Sequence, residues 1–144
     1  MGSLWRGKGR RYSSFIYRFG LDIEENEETP LDLSPLKTLN PDDLDSLVLD
    51  NELSNEDLSN IKGLTGLKEL SFGSTNITDA GLVYLQGLKN LKMLTLACTK
   101  ITDAGLFYLQ GLNNLKELNL RGTGISDDGI KKLQQALPNC EIGK

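Results

Sequence analysis

The sequence predicts an α/β solenoid in which a parallel β-sheet lines the concave face and short helices line the convex face. Three observations predict it: an internal repeat of 24 residues, a strand-like and a helix-like half in each copy, and leucines at fixed positions in both halves. One strand and one helix cannot bury these leucines alone, whereas stacked copies can. The 144 residues are therefore expected to form one domain by stacking.

The strand-like half is the pattern Leu-x-x-Leu-x-Leu, which begins at residues 67, 91 and 115, with phenylalanine in the last place of the first copy. Alternation places the apolar residues on one face of a short strand. A weaker copy covers residues 44–49. Residues 137–142 read as a closing copy at a shortened spacing of 22 residues, with Cys140 in the core. We expect five strands, centred near residues 47, 70, 94, 118 and 140.

The helix-like half begins with Thr-Asp-Ala-Gly-Leu at 78–82 and 102–106. Thr78 or Asp79 is expected to cap the helix, because a hydroxyl or carboxylate accepts from the first free backbone N–H groups. A cation bridging Asp79 and Asp103, one repeat apart, is the alternative. Leucines then recur every third residue and are expected to face inward: Leu82, Leu85 and Leu88.

Two aromatic or apolar pairs follow the helix starts. On an ideal helix Val83 and Phe107 point away from the core, where an apolar patch can mark a contact. We expect instead that the segment is not an ideal helix and that these side chains, with Tyr84 and Tyr108, pack between repeats.

On these residues the chain resembles the leucine-rich repeat family. The Ile-Thr-Asp-Ala-Gly-Leu element at 77–82 and 101–106 is most similar to the cysteine-containing subclass and to similar bacterial repeat proteins. Thr75, Thr99 and Thr123 stand where that subclass usually has cysteine. The resemblance covers residues 64–142 and implies a non-enzymatic scaffold for protein–protein interaction. The subclass also implies an alternative, an adaptor or substrate receptor of a ubiquitin ligase, although residues 1–43 are short for an F-box and lack its helical pattern.

A solenoid binds partners on its sheet face, because side chains there form rows along the stack. The residues beside the core leucines are therefore the candidate partner-binding residues; solvated scaffold is the alternative for the same positions. Val48 and Asp50 occupy the matching places in the first strand. Five strands about 4.8 Å apart span only about 20 Å, so a partner is expected to touch a flank or cap as well. The ten candidates are Lys68, Glu69, Ser71, Lys92, Met93, Thr95, Lys116, Glu117, Asn119 and Arg121.

Several function classes are disfavoured. The chain has no histidine, which removes Ser-His and Cys-His nucleophile pairs and histidine–metal sites. Phosphate-binding glycine loops and the G-x-S-x-G elbow are missing from the sequence. We expect no enzyme, cofactor or metal. Two distant cysteines, Cys98 and Cys140, suit a reducing compartment, and no secretory signal or membrane-spanning stretch is recognised, so we expect a cytoplasmic protein.

Charge divides the chain into three regions, although the formal net charge is only −4. Residues 1–20 form a tail or cap with five bases, no acid and five of the nine aromatic residues. Residues 21–43 form an acidic capping segment, and residues 44–144 hold the repeats. Residues 1–20, called the head, could contact nucleic acid or a membrane. The thirteen acids in residues 21–60 would repel phosphate groups and so disfavour nucleic-acid binding. The alternative is a cap, since residues 15–23 are rich in β-formers. The predicted partner is a protein, which the sequence does not identify, and the oligomeric state stays open.

Overall fold

The computed structural model describes residues 33–49 and 53–144 in full, and the backbone of residues 4–5 and 15–17. In this part of the chain one open sheet runs in sequence order. Strands β3 to β7 are parallel, as the repeat predicts, and β1 and β2 extend the sheet antiparallel to β3. The strands are β1 (Leu4–Trp5), β2 (Phe15–Tyr17), β3 (Ser46–Val48), β4 (Glu69–Ser71), β5 (Met93–Thr95), β6 (Glu117–Asn119) and β7 (Glu141–Gly143).

The helical side consists mostly of 3₁₀ helices. A 3₁₀ helix has three residues per turn, so leucines at every third position, as at 82, 85 and 88, stay on one face. In the last repeat the inward residues Ile130, Leu133 and Leu137 are spaced by three and then four, which suits the 3.6-residue α-helical turn. The 3₁₀ helices are Ser34–Thr38, Glu56–Asn60, Asp79–Leu85 and Asp103–Leu109, and α1 is Asp127–Ala136.

The hydrophobic core lies between the sheet and these helices. Its strand side is the row of central leucines, each at most 2% exposed, and its helix side includes the inward leucines, which are fully buried. Burying one leucine side chain contributes about 1.5–3 kcal/mol, so stacking supplies what one repeat lacks. The central strand leucines are Leu47, Leu70, Leu94 and Leu118.

Threonine occupies the position that the cysteine-containing subclass fills with cysteine. Thr75 and Thr99 are each 5% exposed. Their hydroxyls donate to the carbonyl oxygens of Phe72 at 2.9 Å and Leu96 at 2.7 Å, where the strands end. A buried hydroxyl must find an acceptor, and these carbonyls supply one.

The closing strand differs in register from the prediction. Leu118 pairs with Ile142, so the 24-residue offset continues and the predicted spacing of 22 residues is wrong. The reason is Leu137, which follows the last turn of α1 and is 3% exposed; it completes the helix face instead of opening a strand. Cys140 is buried, as predicted, at 4% exposure.

The N-terminal strand β2 begins where the sequence is rich in β-formers. Phe15 pairs with Val48 and Tyr17 with Ser46, so this strand adds to the edge of the repeat sheet. The other predictions for residues 1–32, and the one for Asp50, lie outside the described residues. The boundaries at 20 and 43 stay predictions.

Candidate functional site

The concave face is built by alternation along three-residue strands. In β4, β5 and β6 the central leucine is buried, while the residue before it is exposed and the residue after it is half-buried. Because successive side chains of a strand point to opposite faces, the six candidates within these strands lie on the side of the sheet away from the core. The other four flank the strands: Lys68, Lys92 and Lys116 precede them, and Arg121 follows β6. Seven are exposed, and Ser71, Thr95 and Asn119 are half-buried.

Strand register brings these residues into rows. Glu69 pairs with Met93, and Met93 with Glu117. The row continues into β7, where Glu117 pairs with Glu141. A second row runs through Ser71, Thr95 and Asn119 and ends at Gly143. Glu141 is a face residue that the sequence prediction missed, although a constant 24-residue period would have found it.

A lysine precedes each of the strands β4 to β6. The backbone N–H of Lys92 donates to the carbonyl of Lys68, and that of Lys116 to the carbonyl of Lys92, both at 2.8 Å. These bonds hold the three lysines in a row at the edge of the face where the strands begin. Lys68 also forms an ion pair with Asp45 at 3.4 Å. Both side chains are about half exposed, so this pair adds little stability.

An open groove lies on the face toward its C-terminal end and has a volume of about 530 Å³. Met93 stands on one side of it and is 42% exposed, one of the few large apolar side chains exposed in the described chain. Charged residues from β6, β7 and the turn after β6 stand on the other side. The lining residues are Met93, Leu94, Thr95, Glu117, Leu118, Asn119, Arg121, Glu141 and Gly143.

The groove carries charges that the fold does not pair. Among residues 33–49 and 53–144, the ion pairs are Lys68–Asp45 and Lys144–Asp127. Glu117, Glu141 and Arg121 belong to neither pair. Burial raises the pKa of the Cys140 thiol beneath this edge, and the negative charges of Glu117 and Glu141 raise it further. The groove can therefore offer two carboxylates and one guanidinium to a partner.

The repeated aspartates do not cap their own helices. Thr78 and Thr102, the residues preceding the 3₁₀ helices, make no side-chain capping bond. Instead the Asp79 carboxylate accepts from the next repeat, from the backbone N–H of Thr102 at 2.8 Å and from its hydroxyl at 2.5 Å. The predicted capping role is therefore wrong for these two helices, and the carboxylate ties neighbouring repeats together.

The same tie recurs along the stack. Asp103 accepts from the N–H and hydroxyl of Ser126, and the hydroxyl bond is the main reason why the pKa of Asp103 is lowered. One repeat earlier, Asn55 accepts from the N–H of Thr78 at 3.0 Å and donates to its hydroxyl at 2.8 Å. We call this series the inter-repeat ladder.

Glycine is required where the ladder passes the next helix. A Cβ at Gly81 would lie 2.6 Å from Asn55 Oδ1, and one at Gly105 would overlap Asp79 Oδ1. The motif Thr-Asp-Ala-Gly is thus explained by packing between repeats. The described residues also hold no group of three or more His, Cys, Asp or Glu that could bind a metal ion.

The helical side exposes two apolar residues. Val83 is 41% and Phe107 67% exposed, so the prediction that they pack between repeats is wrong for both. It is right for Tyr84 and Tyr108, which are half-buried against the core. The short 3₁₀ turn cannot direct both neighbours inward.

The repeat architecture agrees with a known family of repeat proteins. The leucine-rich repeat model matches residues 65–125. The chain carries leucine-rich repeats. This confirms the predicted resemblance to leucine-rich repeat proteins and the predicted fold, while the resemblance to one subclass stays a prediction.

Solved structures agree with these repeats. A leucine-rich repeat protein of Leptospira interrogans superposes with a TM-score of 0.61 and 25% identity, over 86% of this chain and 30% of that protein. Internalin C2 of Listeria monocytogenes gives 0.51 and 26%, over 77% of this chain and 54% of its own. The Mex67:Mtr2 structure of Chaetomium gives 0.54 at 18% identity, over 66% of this chain and 77% of its own, a likeness of fold alone.

The chain thus spans less than a third of the Leptospira protein and about half of the internalin. Curated proteins give no significant match. Among the residues that the structure describes, every helix is too short or too polar to cross a lipid bilayer. Leucine-rich repeats commonly mediate protein–protein interaction and are typically binding scaffolds rather than enzymes.

Proposed function

We propose that this chain is a non-enzymatic, cytoplasmic scaffold that binds a protein partner through its concave sheet face. The observation that carries the proposal is the groove beside Met93. An exposed large apolar side chain, surrounded by unpaired charges and half-buried polar residues, has the make-up of an interface core with a polar rim. The ten candidate residues supply this surface.

The size of the face determines how the partner sits. A standard interface needs about 800 Å² from each side, and the parallel strands β3 to β7, about 4.8 Å apart, span only about 20 Å of the seven-stranded sheet. The partner therefore reaches beyond the strands to the turns that follow them, where Arg121 lies. An adaptor role in a larger assembly, and contact of residues 1–20 with nucleic acid or membrane, stay predictions without a structural observation in their favour.

The test is quantitative capture from an extract of the cells that produce the protein. The wild-type chain is compared with the double variant Met93→Arg/Asn119→Arg, which places two large cations on the concave face. Gln110→Arg is the matched control, because Gln110 is exposed at the end of a convex 3₁₀ helix. All three are checked for equal urea midpoints.

We expect proteins that are captured by the wild type and by Gln110→Arg but lost at least tenfold with the double variant. Such a loss corresponds to about 1.4 kcal/mol of binding free energy. Equal capture by all three chains would contradict binding through this face. Capture of nucleic acid that is lost only on deletion of residues 1–20 would instead support the alternative for the head.

A further inference from the structure

The groove holds two carboxylates in a position that the sheet itself disfavours. Glu117 and Glu141 are in register on the parallel strands β6 and β7, whose backbones lie about 4.8 Å apart, and two carboxylates that close repel each other. Neither forms an ion pair with another residue of the described chain. Both side chains are exposed. A guanidinium or ammonium group from outside would lie between the carboxylates and relieve their repulsion.

A charge of the opposite sign lies just beyond the C-terminal end of β6. Arg121 follows Glu117 by four residues, is exposed, and also lines the groove. At about 3.3 Å per extended residue, the two positions are at most about 13 Å apart, since β6 ends at Asn119 and Arg121 lies in the turn that follows. Four residues of an extended chain cover the same distance. The floor between them is formed by Asn119 and Gly143 and offers no large side chain that would block a backbone.

An apolar position completes the pattern. Met93 pairs with Glu117 across β5 and β6, so it lies directly beside the acidic pair. Its flexible thioether side chain adapts to aliphatic groups of different shape. The long stem of an arginine or lysine bound to the carboxylates, or an aliphatic neighbour of that residue, would cover it.

We propose that the groove binds an extended protein segment in which a basic residue lies over Glu117 and Glu141, and an acidic residue four positions away lies over Arg121. This inference rests on the proposed function, because it names the kind of partner that the concave face accepts. Charge complementarity sets the chemistry of the segment, and the spacing of the two sites sets its pattern. Either chain direction satisfies the pattern.

The test is selection from a random dodecapeptide display library on the immobilised full chain. The double variant Glu117→Gln/Glu141→Gln removes the acidic pair, and Arg121→Glu reverses the other charge. Glu56→Gln is the matched control, since Glu56 is exposed in the 3₁₀ helix Glu56–Asn60 on the helical side and does not line the groove. Each variant is required to unfold at the wild-type urea midpoint or above it.

We expect wild-type peptides enriched in a basic and an acidic residue four positions apart. Their affinity is expected to fall about tenfold with the double Gln variant and to stay unchanged with Glu56→Gln. Arg121→Glu is expected to select peptides with a second basic residue in place of the acid. Raising the salt concentration is expected to weaken binding of the wild type more than that of the double variant.

Enrichment of peptides without this pair, equal enrichment on the double variant, or no enrichment over the bare support would overturn the inference. A different experiment tests the proposed function. The capture experiment with Met93→Arg/Asn119→Arg requires no peptide ligand, so its failure can be distinguished from failure of the peptide selection. If selected peptides lack the charge pair and still fail to bind Met93→Arg/Asn119→Arg, that result would support binding through the concave face and refute only the proposed class of partner.

Discussion

The inner and outer rows of this solenoid repeat in different ways. Toward the core, the same residue returns every 24 positions, as Leu70, Leu94 and Leu118 do. On the concave surface the lysine before each of the strands β4 to β6 repeats, but the residues within the strands change: Met93 interrupts a row of glutamates, and a second row runs from Ser71 through Thr95 to Asn119. Stacking demands the same shape in every repeat, whereas a surface that recognises one partner is built once. Substitutions at positions where the repeat changes should therefore test binding. Substitutions at positions where the residue recurs in every repeat should test stability.

The largest effect is expected from neighbouring residues on opposite sides of one strand. Leu94→Ala removes a side chain that is 1% exposed and should cost about 2–5 kcal/mol of unfolding free energy. Met93→Ala, one residue earlier and 42% exposed, should change stability by about 0.5 kcal/mol or less. Urea unfolding followed by circular dichroism measures both. Similar losses for the two variants would refute the division between the faces.

A second test adds one methyl group to the inter-repeat ladder. In Gly105→Ala the new Cβ meets Asp79 Oδ1 and lies 2.8 Å from Leu82 Cδ1, and such overpacking should cost about 1–3 kcal/mol. Gly63→Ala is the control, because nothing lies within 4 Å of its Cβ. Thermal unfolding should separate the two. An unchanged melting temperature for Gly105→Ala would show that the Asp79 carboxylate does not require a glycine at position 105.

A third test removes the ladder carboxylate. Asp79→Ala leaves the N–H and hydroxyl of Thr102 without their acceptor and should cost about 1–2 kcal/mol, at about 1 kcal/mol for each bond. Asp79→Asn should cost less, since Asn55 makes the equivalent pair of bonds one repeat earlier. Equal urea midpoints for the Ala and Asn variants would contradict a hydrogen-bonding role.

The smallest expected effect is a pH dependence of the same ladder. The Ser126 hydroxyl holds the pKa of Asp103 below its usual 3.8. A carboxyl group whose pKa is lower in the folded state stabilises the fold above its unfolded pKa, and this stability is lost as the pH falls through the folded value. Acidification below about pH 4 should therefore lower the urea midpoint. Asp103→Asn should flatten this fall, and an unchanged slope would contradict the assignment.

The sheet could be predicted because leucine periodicity determines which residues a strand buries. The five strands follow from Leu47, Leu70, Leu94, Leu118 and the C-terminal copy. The last register was misplaced, because Leu137 satisfies a strand pattern and a helix face equally well. A spacing of three at Leu82 and Leu85 indicates 3₁₀ geometry, but the choice between 3₁₀ and α depends on how closely neighbouring repeats pack.

The roles of the polar residues were harder to predict. Asp79 has the sequence context of a helix cap, and only the stacked arrangement shows that Thr102 of the next repeat is nearer. Glu141 was missed because the register of β7 was misplaced. The solvent exposure of Phe107 depends on the short 3₁₀ turn, which a periodic pattern does not specify. The concave rows themselves followed directly from strand alternation.

The central claim, that partners bind the varied concave face, is tested most directly by photo-crosslinking from two matched positions. A benzophenone amino acid replaces either Met93 on the concave face or Phe107 on the helical side, which are both exposed large apolar residues. In an extract of the producing cells, position 93 should give protein adducts that excess unlabelled wild-type chain competes away, and position 107 should give none. Specific adducts from position 107 and none from position 93 would contradict the claim.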